Sequence, residues 1–149
     1  MQLQASSSEP RRVSTDRGRV DVWVQPPILV VQLSGYGDVR FADPIMKAFD
    51  EILRAGMRPE VFFEMGGMHN YDSALRTRLT SHFAAQRSQI QTMQMHTRSR
   101  LVSMGIAVAN LALGGMIVTH DDVKSLQTVL DRALAAAKIA GLSSAVFAR

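Results

Sequence analysis

The feature that most constrains the fold of this chain is an alternation of strand-like and helix-like segments along most of its length. Two strand patterns, residues 20–24 and 28–34, flank a Gln-Pro-Pro break and are expected to pair as a hairpin. Helix and strand patterns then alternate to residue 140. The predicted strands of this part are 60–65, 90–96 and 116–119, and the predicted helices begin at Asp43, Asp72, Arg98 and Asp121. Because helices that join parallel strands make right-handed crossovers, we predict an α/β fold. It has a mostly parallel mixed sheet of about five strands, about four helices, and the N-terminal hairpin at one edge.

Local signals place the ends of these elements. Asp43 is expected to cap the first helix, with Pro44 at its first position and Gly56 just after its end. Residues 66–71 are interpreted as a glycine-led turn after a buried strand, and Asp72 as the cap of the next helix. Gly141 is expected to end the last helix.

Length and charge indicate one domain without a nucleic-acid surface. The 149 residues divide into a disordered tail at 1–18, a folded domain at 19–140 and an extension at 141–149. The net charge of +4 is shared between tail and body, so no basic stripe stands out. The longest apolar run, 105–118, is too short for a membrane span, and the first residues lack the apolar core of a signal peptide. We therefore expect a cytoplasmic protein.

Motifs for catalysis, cofactors or metals are not found in the sequence. Cysteine is absent, and Gly35-Tyr36-Gly37 is only a fragment of a dinucleotide fingerprint. The histidines are His69, His82, His96 and His120. His69 and His96 both follow strands and are expected near the same sheet edge, whereas Glu64 is interpreted as facing a polar loop group. We expect no catalytic residue, no metal, no cofactor and no enzymatic activity.

One segment suggests a mechanism. Asp72-Ser73 stands at a predicted helix start, where free backbone N–H groups and the helix dipole favour an anion. A phosphate on Ser73 would add roughly −1.5 to −2 charges, and Arg76 lies three residues further on. The simpler interpretation is that Asp72 and Ser73 are ordinary helix-start residues and that Arg76 is solvated.

Residues 20–137 resemble the STAS domain, most closely its SpoIIAA-like branch of bacterial anti-sigma-factor antagonists. The resemblance lies in ILVVQLSG, VFFEM, the Tyr71-Asp72-Ser73 segment, and TRSRLVSMGIAVANLALGG followed by MIVTHDDVKSLQTVL. In phosphorylated antagonists an Asp-Ser pair opens the second helix, and an anti-sigma kinase phosphorylates the serine. The family pattern continues Ser-x-Gly-Leu, whereas Ser73 is followed by Ala74 and Leu75. The resemblance implies a regulatory phosphoprotein whose partner is a serine kinase or anti-sigma factor.

The leading hypothesis is a non-enzymatic protein-binding module switched at Ser73. Its switch surface is expected to comprise Tyr36, Phe41, Met68, Tyr71, Asp72 and Arg76, with Ser73 as the candidate phosphoacceptor. Two alternatives stay open. Nine methionines and the nearly all-apolar helix 98–113 are also typical of an apolar-ligand carrier, similar to lipid-binding CRAL-TRIO proteins. The same helix suits a homo-oligomeric interface.

Overall fold

The structure of the protein is a computed structural model that describes residues 9–138. The strands are β1 (Arg11–Ser14), β2 (Gly18–Gln25), β3 (Ile28–Gly37), β4 (Glu60–Tyr71), β5 (Thr92–Thr97) and β6 (Ile117–His120). The α-helices are α1 (Ala42–Arg54), α2 (Ser73–Ala85), α3 (Arg100–Ala112) and α4 (Val123–Ala136). The predicted α/β class is confirmed. The predicted helix end at Gly141 and the extension 141–149 lie outside the described residues.

The six strands form one mixed sheet in the order of the chain, from β1 to β6. β1 pairs with β2 and β2 with β3 in antiparallel fashion, while β3, β4, β5 and β6 are mutually parallel. The predicted hairpin is confirmed, with Val22 opposite Val31. Because the parallel strands advance in one direction, their right-handed crossovers place the connecting helices on the same face.

The sheet is therefore covered on both faces, but unequally. One face packs against α1, α2 and α3, whose buried side chains include Phe49, Phe83 and Ile106. The other face packs against α4 alone, through a stripe at Leu126, Leu130 and Leu134. Spacing of four residues puts this stripe on one side of the helix. Strands β3 and β4 thus contribute alternate side chains to two separate cores.

Strand β1 corrects the later part of the predicted disordered tail 1–18, since residues 11–14 form a strand; residues 1–8 lie outside the described residues. Its exposed side chains carry no apolar alternation, so the sequence does not reveal it. Pairing with β2 and two arginine–carboxylate contacts hold it. Arg11 contacts Glu51 of α1 at 2.7 Å and Arg12 contacts the buried Asp21 at 2.6 Å. The burial of Asp21 explains why an arginine lies beside it, since a buried carboxylate without a partner is unfavourable.

The glycine segments after β3 and β4 also differ from prediction. Residues 35–37 continue β3, and residues 66–71 continue β4 instead of forming a turn. The two extensions pair with each other, with Gly35 opposite Met68 and Gly37 opposite Tyr71, across two register shifts. A side chain at residue 37 would lie 2.8 Å from the Tyr71 Cβ, so glycine permits this close approach. The extended pair carries the start of α2 beyond the end of β5.

Two helices begin differently from the sequence prediction. Asp38, not Asp43, is the capping acid before α1; it accepts from the Arg40 N–H and caps a short 3₁₀ turn that leads into the helix. Hydrogen bonds from Arg40 lower the pKa of Asp38 to about 2. Asp43 lies in the first turn of α1 and pairs with Arg78 of α2 at 2.7 Å. At α4 the cap is Asp122 instead of Asp121.

Candidate functional site

The predicted phosphoacceptor lies at the start of α2. Ser73 is the first helical residue and is exposed, while Asp72 precedes it in extended conformation. The first N–H groups of a helix have no acceptor within the helix. Ser73 therefore presents a hydroxyl group at a helix start that the Asp72 side chain does not cap, at the tip of the β3–β4 extension.

Asp72 uses its carboxylate to join three elements instead of capping α2. Its Oδ1 accepts from the Tyr36 hydroxyl at 2.6 Å, and its Oδ2 accepts from the Val39 N–H at 3.0 Å. No side-chain capping bond to α2 is formed. The bond to Asp72 is the main reason that the pKa of Tyr36 is raised above its ordinary value, with burial second. The Arg17 guanidinium lies over the Tyr36 ring at 3.8 Å.

The other residues of the predicted switch surface are placed unequally. Tyr36, Tyr71, Asp72 and Arg76 are half-buried around Ser73. Phe41 and Met68 are buried in the core, so neither presents a side chain to a docking partner. The prediction that Phe41 and Met68 belong to the switch surface is therefore wrong. Phe41 ends the 3₁₀ turn and faces inward, and Met68 lies on the inward face of β4.

Arg76 is half-buried, and its pairing with a phosphate on Ser73 stays a prediction. It lines an apolar cavity of about 80 Å³ between α2, α3 and the sheet. Its Nε is buried and lacks a hydrogen-bond partner within residues 9–138. Tyr71 lines the same cavity and packs against Gly105 of α3. The candidate site therefore has an outer part at Ser73 and an inner part at this cavity.

A buried polar pair lies on the opposite face of the sheet. His96 on β5 is 3% exposed, and its Nδ1 lies 2.6 Å from Glu64 Oε1 on β4. The same oxygen accepts from the Gly66 N–H at 2.8 Å. His96 Nε2 is shielded from solvent, and no described residue bonds it. The carboxylate thus fixes the ring orientation, and the pair joins two central strands.

His120 extends this polar cluster to β6 and α4. Its Nε2 contacts Gln94 Oε1 at 2.7 Å, and its Nδ1 contacts the Ser125 hydroxyl at 2.6 Å. Burial, and then His96, lower the pKa of His120. Because the Gln94 oxygen can only accept, the His120 Nε2–H donates to it, whereas the Ser125 hydroxyl can either donate to Nδ1 or accept from it.

This cluster was not predicted from the sequence, because its residues lie far apart in the chain and only strand pairing brings them together. Glu64, His96 and His120 occupy matching positions on adjacent parallel strands. A sequence signal that could have revealed the cluster is that an acid and two histidines lie at or next to the ends of successive predicted strands. The expected neighbour His69 is exposed on the β4 extension, beyond the last residue of β4 that pairs with β5. Within residues 9–138, no group of three or more acidic or histidine side chains is arranged to hold a metal ion.

Comparison with protein-family models gives no match for this chain, and comparison with curated proteins gives none. Among the described residues, no helix has the length and apolar character needed to cross a membrane.

Proposed function

We propose that this chain is a non-enzymatic regulatory module of the SpoIIAA-like STAS type that binds a protein partner around Ser73. The observation that supports the proposal is the exposed hydroxyl at the first residue of α2. Asp72 gives both carboxylate oxygens to Tyr36 and Val39, so its side chain does not cap α2, and only its carbonyl accepts from the Leu75 N–H. The partner we propose is a serine kinase or anti-sigma factor, and the setting is the bacterial cytoplasm.

Phosphorylation would act through charge. A phosphate on Ser73 adds roughly −1.5 to −2 charges and three acceptor oxygens. The helix dipole and free N–H groups stabilise the phosphate in the unbound protein. A partner that packs on this surface meets new bulk and negative charge, so its affinity falls. The half-buried ring of Tyr36 and the Arg17 guanidinium over it provide the adjoining contact surface.

Two measurements test the switch. Phosphopeptide mapping after incubation with a serine kinase from the same cells should place the label on Ser73. Affinity capture from those cells should recover one partner with wild type and Ser73→Ala and lose it with Ser73→Glu. Ser81→Glu, an equal charge change at an exposed position later in α2, is the control and should retain the partner. A label elsewhere, or equal retention by Ser73→Glu, contradicts the proposal.

A second candidate function is self-association through α3. Its outer face exposes four large apolar side chains with spacings of three, four and three residues: Leu101, Met104, Val108 and Leu111. This is the spacing of a coiled-coil seam, and a second copy of the chain presents the same seam to it.

A further inference from the structure

A serine hydroxyl, an imidazole and an amide form a hydrogen-bonded chain where β6 leads into α4. The Ser125 Oγ lies 2.6 Å from the Nδ1 of His120, and the His120 Nε2 lies 2.7 Å from the Gln94 Oε1. Gln94 is 9% exposed, and its amide group donates to the Thr92 hydroxyl at 2.7 Å. The imidazole is therefore held on both sides, and its amide partner is itself fixed on β5.

These contacts determine which atom of His120 can act as a base. The Gln94 oxygen can only accept, so the Nε2 of the ring carries the proton. In the neutral imidazole the Nδ1 then has the lone pair, which accepts the hydroxyl proton of Ser125. Burial, and then the nearby His96, lower the pKa of His120, which favours this neutral form. A serine bonded to a base that a third group orients is the arrangement of an activated nucleophile.

Ser125 is accessible from solvent. It is the third residue of α4 and is exposed, whereas His120 is half-buried and Gln94 is buried. α3 follows β5 and packs on one face of the sheet, while α4 follows β6 and packs on the other. In open α/β sheets, ligands bind outside the carboxyl ends of the strands, where neighbouring connections diverge. The hydroxyl group of Ser125 is bonded to the last residue of β6, at that end of the sheet.

We propose that Ser125 is an acylation site, which takes an acyl group from an uncharged activated ester with His120 as the base. The Ser125 Oγ forms a bond to the acyl carbon, and the bond between that carbon and the leaving-group oxygen breaks. The His120 Nδ1 takes the hydroxyl proton and passes it to the leaving group. The turn carries two carboxylates, Asp121 and Asp122, against one cation, Lys124, so an anionic donor is disfavoured.

The modification changes how α4 is attached to the sheet. An ester on Ser125 has no hydroxyl proton, so the Nδ1 of the neutral His120 ring loses its donor. That contact joins the end of β6 to the first turn of α4. The chain takes up an acyl group without turnover, so the site is compatible with a non-enzymatic module and does not depend on Ser73.

The probe for this site is p-nitrophenyl acetate, which is uncharged and releases a coloured leaving group. The full chain should release about one equivalent of p-nitrophenolate in a burst, and peptide mapping should place the acetyl group on Ser125. Ser125→Ala should lack the burst. Ser103 is the internal control, because it is exposed on α3 and no described histidine bonds its hydroxyl group. It should stay unlabelled.

Two histidine variants locate the base. His120→Asn should slow acetylation of Ser125 about 100-fold or more, because the hydroxyl group loses its general base. His69→Asn removes an exposed histidine from the β4 extension and should react as wild type does.

Two further measurements test the role of the ring directly. The acetylation rate of wild type should rise with pH through the folded pKa of His120 and then level off, since only the neutral ring takes the proton. The other charged groups near the ring are His96 on β5 and Asp121 and Asp122 before α4. ¹⁵N NMR should show the neutral His120 ring protonated on Nε2. Gln94→Leu should weaken that preference and slow acetylation together.

The proposal is overturned if Ser125 stays unlabelled, or if Ser103 is labelled as fast. Equal rates in His120→Asn and wild type would overturn it too, as would a neutral His120 ring protonated on Nδ1. If His120→Asn fails to fold, the pH profile and the NMR measurement on wild type decide. None of these results bears on phosphorylation of Ser73, so the two proposals fail independently.

Discussion

Asp72 shows how one residue can serve the structure and still leave a site open beside it. Its two oxygens fix the end of β3 and the 3₁₀ turn, and the neighbouring Ser73 stays exposed. The sequence predicted Asp72 at the helix start but not its partners, because Tyr36 lies 36 positions away in the chain. Only the pairing of the β3 and β4 extensions brings them together.

We expect the Asp72 contact to be visible in the titration of Tyr36. The phenol donates to a carboxylate, so its pKa is raised and it ionises above pH 10. A raised pKa stabilises the fold below the ordinary pKa, and that stability is lost as pH rises through the folded value. Tyrosinate absorbance in a Tyr71→Phe background reports Tyr36 alone, since the chain has two tyrosines. Asp72→Asn should lower this pKa; an unchanged value contradicts the assignment.

The Glu64–His96 pair permits a second prediction for single residues. Replacing one member of a buried, hydrogen-bonded pair leaves the other without its partner, and His96→Leu should cost about 3 kcal/mol of unfolding free energy. The double variant Glu64→Leu/His96→Leu should cost less than the sum of the two single losses, because both members of the pair are removed together, although the Gly66 N–H also loses its acceptor. Urea denaturation measures both values. Additive losses in the double variant would show that the two side chains act independently.

Among the elements, those with strong periodicity were predicted well and polar or glycine-rich ones were not. The predicted strand 90–96 corresponds to β5 at Thr92–Thr97, and the predicted helix 98–113 to α3 at Arg100–Ala112. β1 was missed because backbone pairing and arginine contacts hold it, and neither produces an apolar pattern. The glycines of β3 and β4 were interpreted as turns because glycine marks turns and close strand approaches alike.

The attachment of α4 should depend on pH through His120. Burial, and then the nearby His96, lower its pKa, although Asp121 and Asp122 act in the opposite direction. A lowered histidine pKa gives stability that is present above the ordinary value of about 6.5 and is lost as pH falls through the folded value. Protection of the α4 amides from hydrogen exchange should therefore fall in mildly acidic buffer relative to that of the α1 amides. His120→Asn should remove this pH dependence; persistence of the effect would assign it to another group.

At the scale of the whole molecule, strand order explains which surfaces are available. Neighbouring parallel strands from β3 to β6 send α1, α2 and α3 to one face and leave the other face to α4. The sequence predicted this class from alternation alone. It did not predict the cavity, because a void depends on how α2 and α3 pack over the sheet. It did predict that α3 is apolar on most sides, and the structure divides those sides between the cavity and solvent.

The solvent side of α3 leads to the last prediction, a dimer of two chains. Leu101, Met104, Val108 and Leu111 are 45–84% exposed, and residues at this spacing lie along one line on a helix. A helix of 13 residues is about 20 Å long. Because one helix pair buries less area than a typical stable interface, association should depend on concentration.

Sedimentation velocity measures this association. Wild type should shift from monomer to dimer as concentration rises, and Met104→Lys/Leu111→Lys should stay monomeric with an unchanged unfolding midpoint, because both side chains are exposed. Met57→Lys adds one such charge at an exposed methionine outside α3 and should dimerise as wild type does. Wild type that stays monomeric at high concentration would rule out the seam. A dimer that survives the double lysine variant would place the interface elsewhere, and the exposed edge strand β6 would be the next surface to substitute, at Val118.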